Sequence, residues 1–281
     1  MKRTIPLILL CIVFLGIAGY NGLGLYREWQ EYRAGEQAYD ELSQYIHVQI
    51  PAPPENRPLE AVPVRDQRPH TESTESGEIP EETEAPPAET EPPDDTVWPE
   101  VDFEALREIN PDVVGWIYIE GTSINYPMVQ GADNSYYLYR LFDGTENKSG
   151  SIFVDYRNSR DLSDRNTVLY GHNLQSGAMF HDILLYKDQT FYEEHPTALL
   201  LTPERNYKIE LIAGYVTDMN SDAWKMKFES DVEFALWLEQ GIIQSTFQSA
   251  VRPTAQDRVV TFSTCTYEYN DARYVLVGII K

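Results

Sequence analysis

With 281 residues, 42% of them hydrophobic and 12% aromatic, the chain is long enough to bury a sizeable core in one large or two small domains. Its formal charge of -23 excludes a nucleic-acid partner, because phosphate binding needs a basic stripe and none is visible.

Residues 1–4 carry Lys2 and Arg3, and residues 5–25, "IPLILLCIVFLGIAGYNGLGL", are nearly uncharged. A run of about 20 such residues matches a helix crossing the hydrocarbon core. No Ala-x-Ala pattern follows, which favours an uncleaved transmembrane anchor over a cleaved signal peptide. Basic residues stay inside, so 1–4 reads as a cytoplasmic tip and the rest of the chain as extracellular. The protein is therefore expected at the cell membrane as a single-pass chain. Cys11 lies within the anchor as an apolar filler.

Residues 26–50 carry Tyr26, Trp29, Tyr32, Tyr39, Leu42, Tyr45 and Ile46 at loosely helical spacing, which predicts a juxtamembrane helical segment. Residues 51–99 are rich in Pro, Glu and Thr, with acidic residues far outnumbering basic ones. Such a stretch has too little apolar surface to bury and reads as a disordered acidic linker.

A folded domain is expected over 100–281. It opens with a short helix in "DFEALREINP", N-capped by Asp102 and stopped at Asn110-Pro111. Eight short β-like runs follow: 115–119, 124–129, 151–154, 167–170, 198–202, 207–215, 258–264 and 274–280. Gly, Asn and Pro punctuate them, as in a barrel or sandwich. One helix interrupts the strands. It begins at the capping box Ser230-x-x-Glu233 and continues with Val232, Ala235, Leu236, Trp237 and Ile243.

Cys265 is the one cysteine of the exported part, so it has no internal disulfide partner and invites a reactive reading. Alternation along 258–265 sets Val260 and Phe262 on one face and Thr261, Ser263 and Cys265 on the other. If the next strand returns as a hairpin, Arg273 faces Cys265 with Cβ atoms about 5 Å apart. A surface ion pair of Arg273 with Asp271 or Glu268 is the structural alternative. A thiol also needs a base or cationic neighbour to act as a nucleophile. His47 and His70 precede the domain, and the residue pattern leaves His172, His181 and His195 open.

The runs "YGHN", "TFSTCTYEYNDAR", "INPDVVGWIYIEGTSINYPMVQGADNSYYL", "GSIFVDYRN" and "HPTALLLTPE" resemble the sortases, class B, over essentially all of 101–281. The resemblance implies a mainly β fold: an eight-stranded sortase-type barrel with an N-terminal helix and a helix before the cysteine-bearing strand. It implies a cysteine transpeptidase of Gram-positive cell surfaces that cleaves a sorting signal after Thr through a thioacyl intermediate, with no metal and no cofactor. His172, Cys265 and Arg273 match the family's catalytic positions. Ser263 matches a groove-lining position, and Asn134 and Leu138 fall in a segment that contacts the sorting peptide. Class B enzymes often carry a tyrosine near Ala223; here "SDAWKM" stands instead, with Trp224 as its replacement. The implied partners are surface proteins with a C-terminal sorting signal, and a cell-wall precursor amine or pilin lysine as acceptor. A hydrolytic peptidase of the same fold and an inert tethered binding module are the alternatives.

Overall fold

The computed structural model describes residues 4–48 and 96–281, with side chains from residue 14 onward. Residues 1–3 of the expected tip and nearly all of the acidic linker lie outside the described residues, as do the side chains in the first half of the apolar run. Among the described residues no helix is long and apolar enough to cross a membrane.

Eight strands close into a barrel in the order β10-β8-β7-β3-β4-β5-β6-β9. They are β3 (Val113–Tyr118), β4 (Asn125–Val129), β5 (Ile152–Val154), β6 (Asn166–Tyr170), β7 (Thr197–Leu201), β8 (Asn206–Asp218), β9 (Arg258–Cys265) and β10 (Ala272–Ile280). The pairs β4/β5 and β6/β9 are parallel and the others antiparallel. Closure leaves no free edge along which another chain could pair. Each expected strand is present, and β8 and β10 are longer than the apolar runs that announced them.

The barrel is buried on two faces, which explains why β9 reads as buried almost end to end. Val260 and Phe262 join the main core cluster with Trp116, Ile117 and Leu276. Val259 joins a second core outside the wall, formed with Val275, Val277 and Ile279 under helix α4 (Asp231–Gln244). Phe234 and Leu238 of α4 are the buried contacts there, each worth about 1.5–3 kcal/mol in area terms. Val232, Leu236 and Ile243 of the same helix are exposed, so its buried stripe differs from the one the apolar residues suggested. The N-cap is as expected, with Ser230 Oγ accepting from the N–H of Glu233 at 3.2 Å. The return arm of the capping box is displaced by one residue: the Glu233 carboxylate accepts from the N–H of Glu229 and from Lys225 Nζ, both at 2.5 Å.

Helix α1 (Thr4–Leu42) and the two-residue strand β1 (Ile46–His47) precede the barrel. Strand β2 (Glu100–Val101) pairs with β1, Ile46 opposite Val101, and leads into α2 (Phe103–Ile109), capped by Asp102 as predicted. The segment expected to be juxtamembrane is packed into the same unit as the barrel. Tyr39, Leu42 and Ile46 are core residues, and Tyr39 Oη donates to the Gly150 carbonyl at 2.7 Å. The described residues up to His47 and from Trp98 onward form one compact unit.

Candidate active site

Cys265 is the last residue of β9, and its thiol is free and partly exposed. Arg273 is its direct partner on β10, the register that the hairpin argument required. Arg273 donates to the Ala272 carbonyl at 3.0 Å and has no ion-pair partner among the described residues. Glu268, one of the two carboxylates that would make it a structural residue, pairs with Lys187 instead.

On the other flank, β6 runs parallel to β9 and ends with Tyr170 opposite Ser263. Beyond that point further bonds extend the ladder. Gly171 N–H donates to the Ser263 carbonyl at 3.2 Å, Thr264 Oγ1 to the Gly171 carbonyl at 2.7 Å, and Asn173 Nδ2 to the Cys265 carbonyl at 3.1 Å. These bonds pin 171–173 to 263–265, which sets His172 beside the strand end that carries the thiol.

The imidazole of His172 is fixed at one nitrogen. Nε2 lies 2.7 Å from the Leu138 carbonyl, and since a carbonyl only accepts, Nε2 carries the proton. Nδ1 has no protein partner among the described residues and is the atom free to exchange a proton. Burial holds the ring below its ordinary pKa, partly opposed by the Leu138 hydrogen bond. Gly150, at φ +60°, makes this contact possible: a Cβ there would sit 2.5 Å from the Leu138 oxygen and 3.0 Å from His172 Cδ2.

The other two histidines are elsewhere. His181 Nδ1 bonds Asn173 Oδ1 at 2.8 Å, and His195 packs on Phe191 with ring centroids 4.5 Å apart. Neither lines the cleft around Cys265.

That cleft has a volume of about 940 Å³, and His172, Cys265, Arg273, Ser263, Asn134, Leu138 and Trp224 all line it. Ala223 is buried under α4, whereas Trp224 forms part of the cleft wall, with its Nε1–H buried and without a partner among the described residues. Tyr139, Arg157 and Tyr170 also line the cleft and were not singled out from the sequence. Tyr139 directly follows "NSYYL", and Arg157 and Tyr170 lie in "VDYRN" and "YGHN", runs whose individual residues carry no signal of their own. No group of His, Cys, Asp and Glu among the described residues is arranged to hold a metal ion.

A free thiol, a half-buried imidazole and a guanidinium with no ion-pair partner among the described residues lie at one strand end, an arrangement capable of acyl transfer. The family model for the sortase domain matches residues 117–280. The chain belongs to the class B sortases. A sortase B of Listeria monocytogenes is 38% identical over 175 residues, 62% of this chain and 71% of the relative. A Staphylococcus aureus sortase B–substrate complex superposes with a TM-score of 0.61 at 36% identity, covering 64% of this sortase and 84% of that chain. A sortase B complexed with triglycine gives the same TM-score and identity, covering 64% and 85%. The sortase described here is accordingly a cysteine transpeptidase of the cell surface, built on the mainly β barrel of its class.

Proposed function

We propose that Nδ1 of His172 takes the proton of the Cys265 thiol and that the resulting thiolate attacks the carbonyl of threonine in a sorting signal, forming a thioacyl enzyme. The C–N bond breaks, and the departing amine takes a proton from Nδ1 of His172. An incoming amine then attacks the thioacyl carbon, gives its proton back to His172 and releases the thiolate. Arg273 donates hydrogen bonds to the oxyanion that forms in each half-reaction. Lowered basicity suits His172 to this exchange, because a proton held there is readily surrendered. Ser263, Asn134, Leu138 and Trp224 hold the peptide.

The observation that carries this reading is the register: Cys265 faces Arg273 across one ladder while His172 is pinned to it across the other. Relatives solved with substrate and with triglycine support a sorting peptide and an amine acceptor. The source of the amine, a cell-wall precursor or a pilin lysine, follows from the family resemblance. We further infer that residues 5–25 anchor the protein in the membrane, with residues 51–99 as a spacer and the barrel outside. This rests on the apolar run and on Lys2 and Arg3 before it.

The test is mass spectrometry of the protein after incubation with sorting-signal peptides, with and without triglycine. An adduct on Cys265 that is discharged to a peptide–glycine product supports transpeptidation. Discharge to free acid in both conditions would make the protein a hydrolase. No adduct with any peptide of a sorting-signal library would defeat the assignment.

A further inference from the structure

One buried ionisable group next to the cleft has no part in the chemistry just described. Asp155 follows β5 and is fully buried, yet every side chain bonded to its carboxylate lines the cleft. Its Oδ1 accepts from Arg157 N–H at 3.0 Å and Arg157 Nε at 2.9 Å. Its Oδ2 accepts from Arg157 Nη2 at 2.7 Å, Asn134 Nδ2 at 2.9 Å and Tyr170 Oη at 3.0 Å.

This arrangement removes choices that the wall would otherwise have. A carboxylate only accepts, so Asn134 has to turn its nitrogen toward Asp155. Its oxygen then meets the N–H of Tyr156 at 3.0 Å, and the amide is held at both ends. Tyr170 is committed as a donor for the same reason. Arg157 balances the charge in a two-pronged pair, which permits a carboxylate to remain ionised in a buried place. Burial alone would raise the Asp155 pKa, but the Arg157, Asn134 and Tyr170 bonds outweigh it and hold it below the ordinary value.

We propose that Asp155 is a positioning residue for peptide binding, fixing the Asn134 amide and the Tyr170 hydroxyl from behind the cleft wall without touching the substrate. The proposal rests on the reading of the cleft as the peptide site. It separates Asp155 from a purely structural acid, whose loss would lower stability without changing how peptide is bound.

The experiment is steady-state peptide transfer by Asp155→Asn, Asn134→Ala and the double variant, with melting temperatures. Asp155→Asn keeps the shape and loses the charge that dictates the amide's direction. KM for the peptide should rise about tenfold, the value of one hydrogen bond to a charged group, with kcat within about twofold. In the Asn134→Ala background the same change should raise KM less, since one of the two groups it positions is gone. Should Asp155→Asn fail to fold, Tyr170→Phe removes another donor and should likewise raise KM less in the Asn134→Ala background than in the parental one. An unchanged KM, or a rise undiminished by Asn134→Ala, overturns the proposal. Parental protein that forms no adduct defeats both this inference and the reading beneath it, whereas an active parent with an indistinguishable Asp155→Asn defeats this inference alone.

Discussion

At the scale of single residues, His172 and Arg273 make contrasting predictions. The folded-state pKa of His172 lies below its ordinary 6.5, so the unfolded chain takes up the proton first. Its contribution to stability is therefore intact above about pH 6.5 and declines as pH falls from there toward the folded-state value. Melting temperatures between pH 7.5 and 5.5 should fall more steeply for the parental protein than for His172→Gln. Parallel curves would mean that the ring protonates freely in the fold. Arg273 lies opposite the thiol with no carboxylate partner among the described residues, and Arg273→Lys keeps the charge but loses the planar fork. Acylation should slow about a hundredfold, the loss of one oxyanion donor, with the melting temperature nearly unchanged. Near-parental acylation by Arg273→Lys would remove Arg273 from the chemistry. The pairing of Cys265 with Arg273 was legible because consecutive strands joined by a short loop make sequence distance a guide to register. The choice of His172 over His181 and His195 was not, since it depends on β6 lying beside β9, and these strands are far apart in the chain.

At the scale of elements, α4 gives the clearest case of a helix whose existence was legible and whose orientation was not. Ser230 and Glu233 announce its start through local hydrogen bonding, which the chain carries with it. Which stripe is buried depends on the outer face of β8, β9 and β10, and that face takes Phe234 and Leu238 and leaves Leu236 in solvent. Leu238→Ala should cost about 2–5 kcal/mol through the cavity it leaves. Leu236→Ala, an exposed change, should stay within about 0.5 kcal/mol. Chemical denaturation of the two variants decides between the faces, and the reverse order would mean that α4 is rotated on the barrel. Trp224 follows the same logic, since burial of Ala223 under α4 is what turns the next residue to the cleft.

At the scale of the molecule, the N-terminal helix is part of the folded unit. Tyr39 donates to the Gly150 carbonyl and lies 3.0 Å from Ser151 Oγ, while Asn147 Nδ2 reaches back to the Glu31 carbonyl at 2.8 Å. The anchored loop contains Gly150, whose backbone lies against His172 and Leu138, so α1 braces the side of the cleft that holds the imidazole. Tyr39→Phe should cost about 1 kcal/mol, the net value of a buried hydrogen bond. A chain beginning at residue 100 should melt well below one beginning at residue 26, because Tyr39, Leu42 and Ile46 leave the core with the helix. Equal melting temperatures for the two lengths would show that α1 is dispensable to the barrel.

The amino-acid sequence by itself determined the features that arise within a few residues of one another. These are the apolar run at 5–25, the acidic composition of 51–99, the caps at Asp102 and Ser230, the short strands and the hairpin that sets Cys265 against Arg273. Each depends on local hydrogen bonding, periodicity or composition, and these travel with the chain. Tertiary structure decided what depends on neighbours distant in sequence. It attached α1 to the barrel through Tyr39, pinned His172 beside Cys265 through Asn173 and Thr264, and buried Asp155 behind Asn134 and Tyr170. The reason is that a side chain's role in a site is set by the groups that surround it, and only the closed barrel brings those groups within hydrogen-bonding reach.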